Sequence, residues 1–547
     1  MGTEEITETA YWRAEIERLA GDNAHLAGDN AHLAGDNARL KAENAALQVR
    51  VGELEGQIGA LIEKVTTLAK LVFGTSSEKS KPVSSPVGKD VTGEKPRRGQ
   101  QPGSPGHGRR DYSALETIEE IHDVAEEERI CPGCGAPYAA FGEETSCQID
   151  WQVRIVRHLH RRPTYRRTCK CPTPGMLVAP VPAKPIRKGM FTAGFLARLA
   201  VEKYVLGRPL ERIVAALGND GFDVAKGTLT GALKALSELL DPLDAAIRER
   251  NSQAAHLHID ETSWKVFEAI ADKVGNRWWL WTFLGPDTVV FLIDPTRSTR
   301  VVAEHLGIDI DAGSLERGRQ LLISSDFYSV YQSLGALEGL DPLWCWAHIR
   351  RYFIRASDAH QELRSWESAW TQRIGSLYVA HRALSVCETQ SQEHVSASAD
   401  FTAALHAMDA TRKSEAADPT LHPAAARVLA TLDREWEGLC RHQEFPELPL
   451  DNNPAERTLR NPAVIRKNCY GSGSIWAATL AARIWTITVT AERAGVNPLA
   501  YLTAYLQECA AAGGKAPNHS ALERFFPWAA SEADLGVWRM SPPGPTP

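Results

Sequence analysis

Eight leucines at a strict spacing of seven, Leu19, Leu26, Leu33, Leu40, Leu47, Leu54, Leu61 and Leu68, constrain this chain more than any other feature. A seven-residue apolar repeat follows one side of an α-helix, and over this many turns it specifies a left-handed supercoil with another helix. With leucine at the d positions, the a positions are Ile16, Asn23, Asn30, Asn37, Asn44, Val51, Ile58, Val65 and Val72. Branched residues at a and leucine at d favour two parallel strands, and asparagine pairs at a fix the register at a cost in stability. Residues 11–73 are therefore expected to form a coiled-coil dimerisation helix, making the protein a homodimer or a higher oligomer. The AGDNAHL repeat puts Gly21, Gly28 and Gly35 on the outer face, where each costs about 1 kcal/mol relative to alanine. Val51–Val72 is left to carry most of the stability. The competing reading, one amphipathic helix packed on its own domain, requires burying all the heptads within a single chain.

At 547 residues the chain has room for several domains. Residues 74–110 are rich in Ser, Pro, Gly, Lys and Arg and lack apolar periodicity, so they read as a flexible basic linker. Two close cysteine pairs come next, Cys131 with Cys134 and Cys169 with Cys171. Four thiolates at such spacing can close a tetrahedral structural Zn²⁺ site, although the second pair is tighter than the common C-x-x-C; Cys147 reads as a buried spare. The net charge of −7 argues against a nucleic-acid partner until its distribution is considered. No Asp or Glu occurs between Trp151 and Val201, a stretch that holds Arg154, Arg157, Arg161, Arg162, Arg166, Arg167 and Lys170. Such a block suits a phosphate backbone, and its plainer reading is a solvated basic face. Residues 111–189 are thus expected to be a zinc-binding, DNA-binding module. The N-terminus shows no export signal and no apolar run reaches the roughly 18 residues of a membrane span. A cytoplasmic, nucleoid-associated protein with no membrane contact is expected.

Residues 190–250 read as helices joined by a glycine-containing turn, either a helix-turn-helix or helices that lead into the catalytic domain and pack on it. The period then changes. Ala255–Asp260 alternates, with Leu257 and Ile259 on one face and Asp260 on the other, and reads as a strand. Asn276–Gly285, Thr288–Pro295 and, after the helical TRVVAEHLG, Arg319–Asp326 continue the pattern, the last again ending in an aspartate. Residues 251–340 form the first part of a catalytic core, and 341–450 a helical insertion in which Cys345 and His348 either ligate metal or, the favoured reading, pack and hydrogen-bond structurally. Residues 451–510 return as C-terminal catalytic helices, and 511–547 form a tail. Glu456 opens one of these late helices, and the apolar Trp476–Ala494 should cover one face of the sheet. Trp278, Trp279 and Trp281 read as core sooner than as base-stacking platforms. Two aspartates and a glutamate brought together can hold two hard divalent cations, Mg²⁺ or Mn²⁺. Asn453-Pro454-Ala455-Glu456 also has the form of a helix start, in which Glu456 would only cap. Arg466 and Lys467 are either phosphate holders or ordinary surface charge.

Taken together, LVFGTSSEK at 71–79, the Cys131–Cys171 module, Lys203-Tyr204, Pro209-Leu210, HIDET at 258–262, SDFYSVY at 325–331, CWAHIRRYF at 345–353 and DNNPAERTLR with IRKN at 451–468 identify a resemblance. The chain resembles transposases of the insertion sequence 66 family over nearly all its length, with AGDN repeats more regular than the family's varied N-terminus. The resemblance implies a multidomain protein with an α/β RNase H-like core of the DDE type, its three acids at Asp260, Asp326 and Glu456. It implies binding of terminal inverted repeats, metal-dependent DNA cleavage and strand transfer into target DNA, in many cases with small accessory proteins of the same element. In that reading Asp260 bridges both ions, about 3.5–4 Å apart, and Asp326 and Glu456 hold one each. The alternatives are an RNase H-like nuclease or resolvase without strand transfer, and a transposase-derived DNA-binding repressor.

Overall fold

The computed structural model describes residues 4–73 and 119–539, apart from 120–121, 130, 140–147, 149–153, 167, 169–173, 175, 272, 312, 314 and 316–318. The linker 74–110, Arg167, Lys170 and the cysteines 147, 169 and 171 lie outside the described residues. α1 (Glu4–Phe73) is one unbroken helix of 70 residues, about 105 Å long at 1.5 Å per residue. Its leucines 19, 33, 40, 47 and 54 are each between 44% and 64% exposed. At these five positions the d-position seam is therefore uncovered in the single chain.

A two-stranded antiparallel ladder pairs β1 (Thr164–Arg166) with β2 (Met176–Val178). α2 (Ala193–Ala200) begins where Thr192 Oγ1 accepts from the Phe195 N–H at 3.2 Å, and it runs into a π-helical turn over Val201–Val205. α3 (Leu210–Asn219) and α4 (Lys226–Ser252) come next. The sheet then forms from β3 (His256–Lys265), β4 (Arg277–Leu284) and β5 (Val289–Asp294), with α5 (Thr299–Leu306), β6 (Leu321–Ser325), α6 (Ser329–Leu334) and β7 (Leu340–Trp344) after it. Its strand order is β5-β4-β3-β6-β7. β3, β4 and β5 are an antiparallel meander in which Asp260 faces Thr282 and Thr282 faces Phe291. β7 corrects the expectation of a helical run over Leu343–Arg355: Leu343 and Trp344 end a strand, and the helix starts at Trp346.

The chain continues as α7 (Trp346–Ala359), α8 (Arg364–Ser385), α9 (Gln392–Ala416), α10 (Pro423–Arg434) and α11 (Trp436–Cys440), then α12 (Asn453–Cys469), α13 (Ile475–Arg493), α14 (Pro498–Ala511), α15 (His519–Glu523) and α16 (Glu532–Trp538). The described residues fall into two compact units, one drawn from 1–82, 324–332 and 341–452, the other from 83–323, 333–340 and 453–547. In the first, Phe353 of α7 stacks on Trp370 of α8 at 4.9 Å, and the indoles of Trp366 and Trp370 both donate to Glu415 at 2.8 Å, which ties α8 to α9.

In the second unit α13 is largely buried. Trp485 meets Trp264 of β3 at 5.4 Å and Phe291 of β5 at 6.0 Å, while its indole donates to the Tyr204 carbonyl at 2.7 Å. β5 lies at one edge of the sheet, so alternate N–H groups have no neighbouring strand. α13 supplies the acceptors: Thr486 Oγ1 takes the Phe291 N–H at 2.9 Å and Thr490 Oγ1 the Val289 N–H at 3.0 Å. The match is geometric, since four helical residues rise about 6.0 Å and two strand residues about 6.6 Å. An edge closed in this way cannot recruit another strand.

Candidate catalytic face

The alternation that makes β3 a strand also gives its two acids opposite surroundings. Leu257 and Ile259 are fully buried; Asp260 is half-buried on the other face, where its Oδ1 accepts from the Glu261 N–H at 2.9 Å. His256 and His258 precede it on that same face, their rings 4.7 Å apart and near perpendicular. Glu261 points the opposite way and is buried. A buried carboxylate needs a partner, and Arg297 provides it, donating from Nε at 2.7 Å and again from Nη2. The guanidinium also lies 4.6 Å from the ring of Trp279, so charge and π-face together hold it. Sequence reasoning passes over Glu261 and Arg297. An acid in the buried phase of a strand is the available signal, but its partner is 36 residues away.

α12 packs on β3 and β4 and is tied down at its C-terminal end. Arg466 Nη1 donates to Thr262 Oγ1 at 3.2 Å, to Ser263 Oγ at 3.1 Å and to the Ser263 carbonyl. The next turn docks on the end of β3: the Ser472 N–H donates to the Lys265 carbonyl at 2.8 Å, and Trp264 Nε1 to Ser472 Oγ at 3.1 Å. Gly471 makes this possible. Its φ is +140°, and a Cβ there would collide with the Lys265 carbonyl oxygen. Glu456, half-buried in the first turn of α12, is thus carried on a helix fixed against the strand that carries Asp260. Lys467 is exposed.

Asp326 belongs to the other unit, directly after β6, where its Oδ1 accepts from the Tyr328 N–H at 3.0 Å and opens α6. Tyr352 of α7 lies near it. Burial, and then the Asp326 charge, raise the Tyr352 phenol above its ordinary pKa, so it stays a proton donor. In the same unit Tyr378 donates to Asp451 at 3.3 Å. Cys345 is buried, with its thiol pushed up to about 12 mainly by desolvation, and its sulfur accepts from the Asn452 N–H at 3.2 Å. His348 bonds Arg351 at 3.0 Å. Cys345 and His348 thus each engage a hydrogen-bond partner.

At the other cysteine positions, residues 132–134 form a turn in which the Gly135 N–H donates to the Cys131 carbonyl and the Cys131 N–H to that of Ala136, both at 2.8 Å. The N–H groups of Gly133 and Cys134 aim at the Cys131 sulfur and lower its thiol pKa. Cys134 is exposed. Arg154, Arg157, Arg161, Arg162 and Arg166 are all exposed, Arg162 reaching the Ala179 carbonyl at 2.8 Å. Among the described residues no helix is long and apolar enough to cross a membrane.

Known proteins are similar to this chain in sequence. Residues 188–480, over half of the chain and the span that includes β3 through α12, match the family model described as the IS66 family of transposases. Two relatives from Sinorhizobium fredii (strain NBRC 101917 / NGR234) are similar over most of their length. The uncharacterized protein y4qI is 26% identical over 80% of this chain and 79% of its own. The uncharacterized protein y4jD is 24% identical over 74% and 79%. With the matched span enclosing both the sheet and the helix that bears Glu456, the chain belongs to the IS66 family of transposases.

Proposed function

We propose that the protein binds the terminal inverted repeats of a bacterial insertion sequence, cuts DNA at their ends and joins those ends to target DNA, using Asp260, Asp326 and Glu456. Family membership carries the reading. The strand order β5-β4-β3-β6-β7, with one acid on β3 and one directly after β6, supports an RNase H-like core. The donor set fits Mg²⁺ or Mn²⁺, since three carboxylates offer only the oxygen ligands that hard cations take. Asp260 would hold two ions, and Asp326 and Glu456 one each. When bound, the pair would activate water or a DNA 3′-hydroxyl and stabilise the leaving oxygen.

The remaining residues set up that chemistry. Arg466 keeps α12 on β3, and the Glu261–Arg297 pair fixes the rotation of the strand that aims Asp260. Arg466 thus serves the protein scaffold, and Lys467 is left to meet phosphate. Arg154, Arg157, Arg161, Arg162, Arg166, Arg167 and Lys170 would meet the end DNA. Cys131, Cys134, Cys169 and Cys171 would hold a structural Zn²⁺; the N–H groups aimed at the Cys131 sulfur suit a thiolate ligand. A second copy would close the α1 seam, and accessory proteins of the same element would join on DNA.

Glu456→Gln tests the reading, because a helix-capping role accepts glutamine whereas a cation needs the negative oxygen. Folding and end binding should stay near wild type while cleavage falls by orders of magnitude, as with Asp260→Asn and Asp326→Asn. Cleavage at the wild-type rate would leave Glu456 a cap. End DNA mixed with a target plasmid should give joined product; cleavage without joining would favour a nuclease.

A further inference from the structure

Within the helical insertion, three metal-ligating side chains converge at a place distinct in sequence and in chemistry from the acids Asp260, Asp326 and Glu456. His360 closes α7, Glu362 lies in the single 3₁₀ turn after it, and His422 caps α10. Glu362 Oε1 is 3.8 Å from His360 Nδ1 and 3.4 Å from His422 Nε2, and each residue offers a ligand atom within 4.8 Å of the others. A tetrahedral zinc with bonds of about 2.0–2.1 Å sets its ligand atoms about 3.4 Å apart. Two edges of the triangle are already near that figure. The imidazoles are mostly buried, at 20% and 30% exposed, while the Glu362 side chain is 63% exposed. The protein thus presents two fixed nitrogens and one adjustable oxygen, and leaves the fourth position to water. Nδ1 is the His360 nitrogen that faces the cluster, while its buried Nε2 has no hydrogen-bond partner among the described residues.

We propose that His360, Glu362 and His422 form a transition-metal site of the zinc class that clasps the end of α7 to the start of α10. Two imidazoles and one carboxylate favour Zn²⁺ over Mg²⁺, which takes oxygen ligands and keeps its waters. The site is separate from the acids of the catalytic reading and from the cysteine pairs, and it stands if either of those fails. Binding has a definite proton consequence. His422 Nδ1 accepts the Ala424 N–H at 3.1 Å, so the neutral ring carries its proton on Nε2, facing Glu362. A metal at Nε2 moves that proton to Nδ1 and releases the Ala424 N–H from its cap. Metal-bound protein should therefore show faster amide exchange at Ala424 even as the clasp tightens.

The experiment uses the full chain, stripped with a chelator and titrated with ZnCl₂. The double variant His360→Ala/His422→Asn should bind one zinc fewer per chain than wild type, and the asparagine can still cap α10. Cys131→Ser should retain this equivalent. MgCl₂ should not compete for it. Equal zinc stoichiometry in wild type and double variant would overturn the proposal. Glu362→Gln, a change at an exposed position that leaves both histidines in place, supplies a second measure: zinc affinity at this equivalent should fall at least tenfold, and an unchanged affinity would also overturn it.

Discussion

Two long helices of this protein carry apolar faces and meet opposite fates. α13 lays Ile484, Trp485 and Ile487 against its own chain, each at most 1% exposed. α1 leaves Leu19, Leu33, Leu40, Leu47 and Leu54 about half exposed along a seam that repeats every seven residues. The difference lies in shape more than in hydrophobicity. The face of α13 is irregular, mixing tryptophan, threonine and alanine to match one particular sheet. The face of α1 is periodic, and a periodic face is matched best by a copy of itself. Burial of α13 is therefore a folding event, whereas burial of the α1 seam is expected to be an association event.

The largest effect expected from breaking this contrast is on the buried side. Trp485→Ala removes the side chain shared by β3, β5 and the Tyr204 carbonyl, and losses of about 3–5 kcal/mol are usual for such a truncation. A denaturant titration should show it as a large drop in midpoint. A drop of under about 1 kcal/mol would mean that α13 is a dispensable cover.

The converse change belongs to the seam. Leu40→Glu with Leu47→Glu places acids at two successive d positions that are 56% and 64% exposed in the single chain. Sedimentation should report loss of the oligomer. The unfolding midpoint of the sheet should hold within about 0.5 kcal/mol, as for surface changes. An unchanged mass would show that the heptads do not join chains, and a falling midpoint would show that α1 is packed on its own protein.

How much of this is legible in the sequence depends on distance along the chain. The α1 helix, the strands β3 to β6 and the α13 cover can each be read from a local period. β7 cannot, because Asp341 and Pro342 interrupt its five residues, and proline is tolerated there only because β7 is an edge. Arg466 reads as a free cation since its partners Thr262 and Ser263 are about two hundred residues earlier. Glu261 lies within HIDET, yet no local sign joins it to Arg297. Of the three acids, β3 and α12 bring the elements of Asp260 and Glu456 together, a pairing that rests on Arg466 and Gly471 and that no local pattern announces.

The smallest effect is the most specific to α13. Thr486 and Thr490 sit on a buried helix face where valine would fill the same space, yet their hydroxyls accept the outward N–H groups of Phe291 and Val289. Thr486→Val keeps the volume and the β-branch and removes only the acceptor, leaving the Phe291 N–H buried and unpaired. The expected cost is about 1–3 kcal/mol. Thr490 also donates back to the Val289 carbonyl at 3.2 Å, so Thr490→Val leaves two groups unpaired and should cost more. Hydrogen exchange reads this directly: the Phe291 amide should lose protection in Thr486→Val while Val289 keeps it, and the reverse should hold for Thr490→Val. Thr486→Ser, which restores an acceptor without the methyl, should recover protection at Phe291. If neither valine variant changes exchange at its partner amide, water already serves the edge of β5, and α13 covers the sheet by apolar packing alone.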